Sequence, residues 1–249
     1  ILAPVAATRI VSLVPSLTAL LADLGLDAEV VGLTRFCSDP PGWKERKVVV
    51  GGTKDVRPER VAELEPDLIL ANREENVREQ VEALEGLAPI YLSEIKTLAD
   101  DLAAIKVIGE RVGRQAEGAA LIERTRAAFA ALPAYEPLRA LYLIWREPYM
   151  SVGHDTFIHA VMEAGGFLNV CGDQTRYPSL EPEALRALDP EVILLSSEPY
   201  PFKEEHLSEL EGLVPQAQVR LVDGVPFSWY GSRVADAPPY LRTLRAQLG

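Results

Sequence analysis

The stretch of sequence that decides the fold is Pro58–Leu70, PERVAELEPDLIL, together with its counterpart 124 residues later, Pro182–Leu194, PEALRALDPEVIL. Each stretch opens on a proline, which is favoured in the first turn of a helix. Each then passes through an acidic residue and a second proline into an apolar run, which predicts a helix, a turn and a buried strand. One such unit is common in α/β proteins, and its chance use twice is the alternative explanation. Two copies in the same order favour two similar lobes.

Strands and helices alternate on both sides of these stretches. The first half predicts strands and helices over Arg9–Val14, Ser16–Leu24 (with Ser16 as N-cap), Val30–Leu33, Val48–Val50, Pro58–Leu64, Leu68–Ala71, Asn76–Leu84 and Ile90–Leu92. After a helical zone the pattern restarts with a strand at Ala140–Ile144 and ends in a helix over Tyr240–Leu248. This alternation is typical of parallel sheets covered by helices.

The helical zone spans Leu98 to Leu132 and is expected to break near Gly109–Gly113. Its second part, Arg114–Leu132, is rich in good helix formers and stops at Pro133. The sequence therefore predicts an α/β fold of two lobes, each a mainly parallel sheet covered by helices, joined by one long backbone helix. We expect an N-terminal lobe over residues 1–97, a helical linker over 98–133 with the backbone helix at about 114–132, and a C-terminal lobe over 134–249.

The amino-acid composition argues against some classes of function. The chain has 249 residues and a net charge of −12, with 37 acidic and 25 basic residues. This excess of acidic residues argues against nucleic-acid binding, because clustered basic residues are what gives proteins affinity for the phosphate backbone. It is typical of a solvated surface, or alternatively of carboxylates displayed to a basic partner. The opening residues, ILAPVAA, are either the remainder of an export or lipoprotein leader or an arbitrary boundary.

The sequence offers no catalytic or metal signature. Cys37 and Cys171 form no CxxC pair, and whether they pair with each other or touch a ligand is open. His154 and His159 are five residues apart, so they do not share one helical face. Gly51-Gly52-Thr53-Lys54 lacks the spacing of a phosphate-binding loop, and GxSxG and HExxH motifs are absent. We therefore assign no catalytic residue, no metal ligand and no cofactor.

Aromatic residues and arginines gather where strands are predicted to end, the place where open α/β sheets bind ligands. Such side chains suit a large flat or amide-rimmed ligand, through stacking and cation–π contacts. Tyr142 is expected in the core instead, whereas Trp229 and Tyr230 are expected to be exposed. The candidate ligand-binding residues are Pro15, Ser16, Arg35, Phe36, Asn72, Arg73, Trp145, Arg146, Tyr149, Arg176, Tyr177, Glu198, Trp229, Tyr230 and Arg233.

Several of these loops carry a resemblance that runs over nearly the whole chain. The matching segments are RIVSLVPSLT at 9–18, GGT at 51–53, PDLILA at 66–71, NREENVREQVEAL at 72–84, residues 167–170, SSEPYPFKEEH at 196–206 and FSWYGSR at 227–233. In order and spacing they resemble the cobalamin-binding and iron-siderophore-binding proteins of bacterial ABC importers, the helical-backbone group of periplasmic binding proteins. One departure is Asn72, where the cobalamin binder of enteric bacteria has a tryptophan.

The resemblance implies a ligand held between the lobes, limited closure about a rigid helix, and delivery to an ABC permease at the membrane surface. It implies cobalamin as the ligand of a monomeric, periplasmic or otherwise extracytoplasmic protein, with a lipid anchor through a leader as an open alternative. A ferric-siderophore or haem carrier of the same fold is the alternative, and an α/β enzyme is a third reading. Arg78 occupies the family's first docking position, so Glu75 or Glu79 would take that role, with Glu204 or Glu205 in the other lobe.

Overall fold

The computed structural model describes residues 6–249, so Ile1–Val5, part of the possible leader remnant, lies outside the described residues. The chain forms two compact units. Within the described residues, the first unit comprises 6–95, 99–124 and 230–233, and the second comprises 96–98, 125–229 and 234–249. The segment 230–233, which the sequence placed in the C-terminal lobe, thus belongs to the first unit.

The first unit is built on a five-stranded parallel sheet with the strand order β3-β2-β1-β4-β5. Buried apolar side chains from its strands and helices, among them Val11, Val61 and Ile69, form one core cluster. Its elements are β1 (Ile10–Ser12), α1 (Pro15–Asp23), β2 (Val30–Leu33), α2 (Trp43–Arg46), β3 (Val48–Val49), α3 (Pro58–Glu63), β4 (Leu68–Asn72), α4 (Arg78–Glu82) and β5 (Ile90–Ser93).

Two helices follow, α5 (Leu98–Arg111) and α6 (Gln115–Ala130). The break between them is where the sequence predicted it, because Gly113 adopts a left-handed φ of 68°. Gly109 lets the two helices approach closely, since a Cβ there would lie 3.0 Å from the Arg114 carbonyl oxygen. The 16 residues of α6 span about 24 Å.

The second unit contains a four-stranded parallel sheet with the order β11-β10-β6-β8 and a small antiparallel pair, β7-β9. Tyr142, expected in the core, is fully buried there. The elements are β6 (Leu138–Leu143), β7 (Tyr149–Met150), α7 (Phe157–Ala164), β8 (Phe167–Asn169), β9 (Ser179–Leu180), α8 (Pro182–Ala187), β10 (Val192–Ser196), α9 (Glu204–Leu213), β11 (Gln218–Val222), α10 (Val225–Ser228) and α11 (Ala237–Leu248), with a 3-10 helix at Gly231–Asp236.

The two sheets repeat one topology. The order β2-β1-β4-β5 in the first sheet corresponds to β8-β6-β10-β11 in the second. The bounds of α3 and β4 recur in α8 and β10 at the offset of 124 residues that the sequence showed. The predicted fold class, two parallel sheets covered by helices within an α/β chain, is confirmed.

A shared arginine clamp explains why the repeated helix–turn–strand folds alike. Arg9 donates from Nε to the carbonyl oxygens of Leu64 and Glu65, at 3.0 and 3.1 Å. Arg139 donates to the corresponding carbonyls of Leu188 and Asp189, at 2.6 and 3.0 Å. These carbonyls lie at the end of the helix, where no intrahelical N–H can reach them. In each unit the guanidinium therefore stabilises the turn that leads into the inner strand.

The start of α1 differs from the prediction. Pro15, half-buried, occupies the first turn and Val14 is the N-cap residue, so Ser16 lies inside the helix. Proline's fixed φ suits this position, and its missing N–H would have had no helical partner anyway.

Candidate functional site

Several candidate residues of the first unit lie at or just beyond the carboxyl ends of its strands, beginning with Asn72, the last residue of β4. The Asn72 side chain is 1% exposed. Its Oδ1 accepts the backbone N–H of Glu74 at 2.8 Å, and its Nδ2 donates to Ser93 Oγ at 3.0 Å. These internal bonds shape the loop and leave neighbouring Arg73 exposed, 3.6 Å from Glu94.

Arg35 and Phe36 form an exposed platform after β2. Phe36 is 52% exposed, and the Arg35 guanidinium lies 4.9 Å from the centre of its ring. Both arms of Arg35 donate to Asp55, at 2.8 Å each, and these bonds lower the pKa of the Asp55 carboxyl. Gly52 makes room for the pair, because a Cβ there would lie 2.3 Å from Asp55 Oδ1.

The segment 230–233 is anchored inside the first unit. Tyr230 is buried, which corrects the expectation that it is exposed. The next residue, Gly231, has a left-handed φ of 77° and donates its N–H to Asp101 Oδ1 at 2.6 Å. Asp101 is 1% exposed, and burial raises the pKa of its carboxyl to about 7 against the opposing effect of that hydrogen bond. Arg233 bonds Asp39 at 2.5 Å and Asp23 at 3.1 Å.

In the second unit, Trp145 follows β6 and is 40% exposed. Its ring meets the edge of Tyr200 at 5.6 Å, and Tyr200 in turn contacts Phe202 and His206. Such edge-to-face contacts hold aromatic rings in place. The exposed Trp145 ring is therefore supported from beneath.

Arg146 and Tyr149 line a cavity of about 260 Å³. Both bond Glu209: Arg146 through Nη2 at 3.0 Å and Tyr149 through its hydroxyl. Burial opposes ionisation of Glu209, but the bonds from Tyr149 and Arg146 prevail and lower the pKa of its carboxyl. Arg146 Nη1 also lies 2.6 Å from Glu147. Tyr149 is buried in β7 rather than in an open loop.

Arg176 lies in the loop between β8 and β9 and has a left-handed φ of 57°. Its guanidinium lies 5.6 Å from the Tyr177 ring and 4.0 Å from Asp155 Oδ2. The Arg176 backbone N–H donates to Asp155 at 2.5 Å, and this bond chiefly lowers the pKa of the aspartate.

Glu198 and Trp229 are brought together from loops 31 residues apart. The indole Nε1–H of Trp229 donates to Glu198 Oε1 at 2.9 Å, and the hydroxyl of Ser228 donates to the same oxygen at 2.5 Å. All three side chains are half-buried. Ser228 was not among the residues chosen from sequence, although it directly precedes Trp229.

A common feature of the candidate arginines emerges from these contacts. All five of them face carboxylates of their own unit: Arg35 with Asp55, Arg73 with Glu94, Arg146 with Glu147 and Glu209, Arg176 with Asp155, and Arg233 with Asp23 and Asp39. Sequence reasoning missed these acidic partners because most lie far along the chain from their arginine. The immediate surroundings of the arginines are thus neutral or acidic.

The candidate docking glutamates lie at helix starts or just before one. Glu79 is exposed in the first turn of α4, and Glu204 and Glu205 are exposed in the first turn of α9. Glu75 is half-buried in the loop before α4. Carboxylates in a first helical turn also interact favourably with the helix dipole.

Cys37 and Cys171 are free and buried, and burial raises the pKa of both thiols. Across residues 6–249, no cluster of three or more His, Cys, Asp or Glu side chains has an arrangement that could hold a metal ion. Within the same residues, no helix combines the length and apolar character that a membrane crossing requires.

Two curated relatives are identical to this chain at 26% and 29% of the aligned positions. An uncharacterized ABC transporter substrate-binding lipoprotein, YvrC of Bacillus subtilis, is 26% identical over 199 residues, covering 75% of this chain and 62% of that protein. A cobalamin-binding protein of Halobacterium salinarum is 29% identical over 195 residues, covering 75% of this chain and 53% of that protein. The chain thus spans less than two thirds of the length of these relatives.

Solved structures share the fold over almost the whole chain. The periplasmic vitamin B12 binding protein BtuF of Vibrio cholerae has a TM-score of 0.78 at 22% identity, covering 97% of this chain and 98% of that one. The periplasmic heme-binding protein RhuT from Roseiflexus sp. RS-1 has a TM-score of 0.80 at 21% identity, with the same coverage. Residues 10–214 match the family described as periplasmic binding protein. The chain belongs to the periplasmic binding protein family.

Proposed function

We propose that this chain is the substrate-binding protein of an ABC importer, and that its ligand is cobalamin or another corrinoid. Family membership supports a binding role rather than an enzymatic one. The names of the two relatives support an ABC transporter and a cobalamin ligand. The name of the Bacillus subtilis relative, a lipoprotein, supports an extracytoplasmic location with attachment to lipid.

The observation that carries the choice of ligand is the pairing of the candidate arginines. The fold serves a vitamin B12 binder and a haem binder alike, so it does not decide between these ligands. Haem carries propionate groups, and many ferric siderophores are anionic. Such ligands would meet arginines already bonded to carboxylates, for example Arg35 on Asp55 and Arg146 on Glu209. An added anion would therefore gain little attraction and would be repelled by the carboxylates.

A corrinoid fits the same surroundings. Amide groups rim its flat macrocycle, and an amide both accepts from a guanidinium and donates to a carboxylate. The exposed rings of Phe36 and Trp145 and the half-buried ring of Trp229 offer faces for stacking. The haem or siderophore carrier remains the second candidate, on the strength of the shared fold.

Replacement of Trp229 tests the assignment of the binding residues. Trp229→Ala should weaken cyanocobalamin binding by about 1–3 kcal/mol, because a stacked indole contributes roughly that much in a binding site. Isothermal titration calorimetry measures the change, and Lys44→Ala, an exposed position in α2, is the control. Unchanged affinity in a folded Trp229→Ala variant would remove this ring from the site.

The proposed partner is a membrane permease that meets the acidic residues of both units. We propose Glu79 and Glu204 as docking residues, because both are exposed in the first turn of a helix that follows an inner strand of its sheet. Charged residues at the edge of a protein–protein interface act mainly on the rate at which the two proteins associate and on the salt dependence of that rate. The double reversal Glu79→Lys and Glu204→Lys should abolish uptake of radiolabelled cyanocobalamin in the native host and leave ligand affinity unchanged.

The matched control for this experiment reverses two exposed glutamates elsewhere, Glu63→Lys and Glu211→Lys. The control protein should support normal uptake. Normal uptake with the Glu79 and Glu204 reversal would show that these two residues have no role in docking. Loss of uptake in both proteins would show that uptake depends on the net charge of the protein and not on these two positions.

A further inference from the structure

We infer that Glu198 is a positioning residue, which fixes the Trp229 indole for ligand binding and does not itself contact the ligand. The inference rests on the proposed function in one respect, that Trp229 meets the ligand. It revises the reading of Glu198 as a ligand contact. All the contacts that support it lie inside the second unit.

The first observation is the convergence of two donors on one carboxylate oxygen. Glu198 Oε1 accepts the Trp229 Nε1–H at 2.9 Å and the Ser228 hydroxyl at 2.5 Å. These distances are typical of charge-assisted hydrogen bonds, which are about twice as strong as neutral ones. An indole has one N–H and pivots about two side-chain torsions, so this bond fixes the direction in which the ring faces.

The second observation is that Glu198 is itself anchored to the core of the second sheet. Tyr142 on β6, fully buried, donates its hydroxyl to Ser196 Oγ at 3.1 Å. Ser196, the last residue of β10, donates in turn to the Glu198 carbonyl oxygen at 2.6 Å. A chain of hydrogen bonds thus links the sheet to the backbone of Glu198, the residue whose carboxylate holds Trp229.

The third observation is the close packing around the Glu198 side chain. A Cβ on Gly224 would lie 2.6 Å from Glu198 Cγ and 2.5 Å from Ser196 Oγ, closer than real Cβ contacts. The Gly224 N–H donates to Ser197 Oγ at 3.0 Å, and its carbonyl accepts the backbone N–H of Ser228 at 2.9 Å. The loop therefore packs against Glu198 as well as bonding to it, and a hydrogen-bond donor of the ligand would have to displace the Trp229 and Ser228 donors to reach the same carboxylate oxygen.

The experiment compares Glu198→Ala, Glu198→Gln, Trp229→Phe and the double variant Glu198→Ala/Trp229→Phe, with Glu211→Ala, an exposed residue of α9, as control. The indole N–H signals of the three tryptophans are recorded by 1H–15N correlation spectroscopy without ligand, and Trp229→Phe identifies the signal of Trp229. Affinity for cyanocobalamin is measured by calorimetry.

In the ligand-free spectra, Glu198→Ala should shift the Trp229 signal and make its solvent exchange about tenfold faster, which corresponds to loss of one hydrogen bond. Glu198→Gln keeps a side-chain carbonyl as acceptor and should leave most of the protection. An unmoved Trp229 signal in Glu198→Ala would overturn the inference. This part of the experiment is independent of the proposed function, because it needs no ligand.

In the binding measurements, Glu198→Ala should weaken cyanocobalamin binding by about 5–20-fold and Glu198→Gln by less than about threefold. In the Trp229→Phe background, adding Glu198→Ala should change affinity by less than about twofold, because the group through which Glu198 acts is gone. Additive losses would show that Glu198 touches the ligand or acts on the whole fold, and would overturn the inference. A wild-type protein that binds no cyanocobalamin would refute the proposed ligand, while the Trp229 signal would still decide the role of Glu198.

Discussion

At the scale of single residues, the most unusual group is Asp101, a buried carboxyl whose Oδ1 accepts the N–H of Gly231 at 2.6 Å. Burial raises the pKa of Asp101 from its ordinary value of 3.8 to about 7. Because the folded state holds this proton more tightly than the unfolded state, Asp101 favours folding more at pH 5 than at pH 8. Its ionisation therefore destabilises the first unit as the pH rises through about 7.

Replacing Asp101 by asparagine should remove this pH dependence. Asparagine keeps the oxygen that accepts the Gly231 N–H but carries no charge to bury. We expect the free energy of unfolding of wild type to fall by about 1–4 kcal/mol between pH 5 and pH 8 relative to that of Asp101→Asn. Urea unfolding across this pH range measures the difference. Parallel pH profiles for the two proteins would contradict the assignment.

A second residue-scale prediction concerns Gly224, whose φ of −73° is open to any residue but whose surroundings leave no space. Gly224→Ala should destabilise the protein by about 1–3 kcal/mol, because the new methyl group would overlap Ser196 and Glu198. Gly212→Ala is the control, since no atom lies within 4 Å of its Cβ position. Equal stability of the two variants in chemical denaturation would show that the loop accommodates the added methyl group without a loss of free energy of unfolding.

At the scale of elements, the repeated helix–turn–strand is the feature that the sequence predicts best. The offset of 124 residues holds to the residue because the pattern is local: a proline opens the helix, a second proline follows the turn, and an apolar run forms the inner strand. The strands β7 and β9 escaped prediction because two residues each are too short to show alternation.

The arginine clamps give this element a direct test. Arg9→Ala and Arg139→Ala should each cost about 1–2 kcal/mol, because each leaves helix-end carbonyls without their charged donor. Amide hydrogen exchange should rise in β4 for the first variant and in β10 for the second, each in its own sheet. Lys44→Ala should leave both strands as protected as in wild type. Loss of protection spread evenly over both sheets would contradict a local role for the clamps.

At the scale of the whole molecule, the sequence indicated the fold class and the class of ligand-binding protein, but not the electrostatics of the candidate site. The arginines were visible in sequence, whereas their partners were not. Asp55 lies 20 residues from Arg35, and Glu209 lies 63 residues from Arg146, with no spacing rule to connect them. Only the three-dimensional arrangement shows that these guanidiniums already face carboxylates, and this is what favours an amide-rimmed ligand over an anionic one.

The measurement that tests this account most directly is a calorimetric titration of the wild-type protein with cyanocobalamin and, separately, with haemin. We predict one-to-one binding of cyanocobalamin with a dissociation constant below about 10 µM, and binding of haemin that is at least about a hundredfold weaker. Tight haemin binding without cyanocobalamin binding would contradict the proposed ligand and the argument from the paired arginines. Binding of neither compound at millimolar concentration would contradict a role in metal-chelate uptake through these two ligand classes.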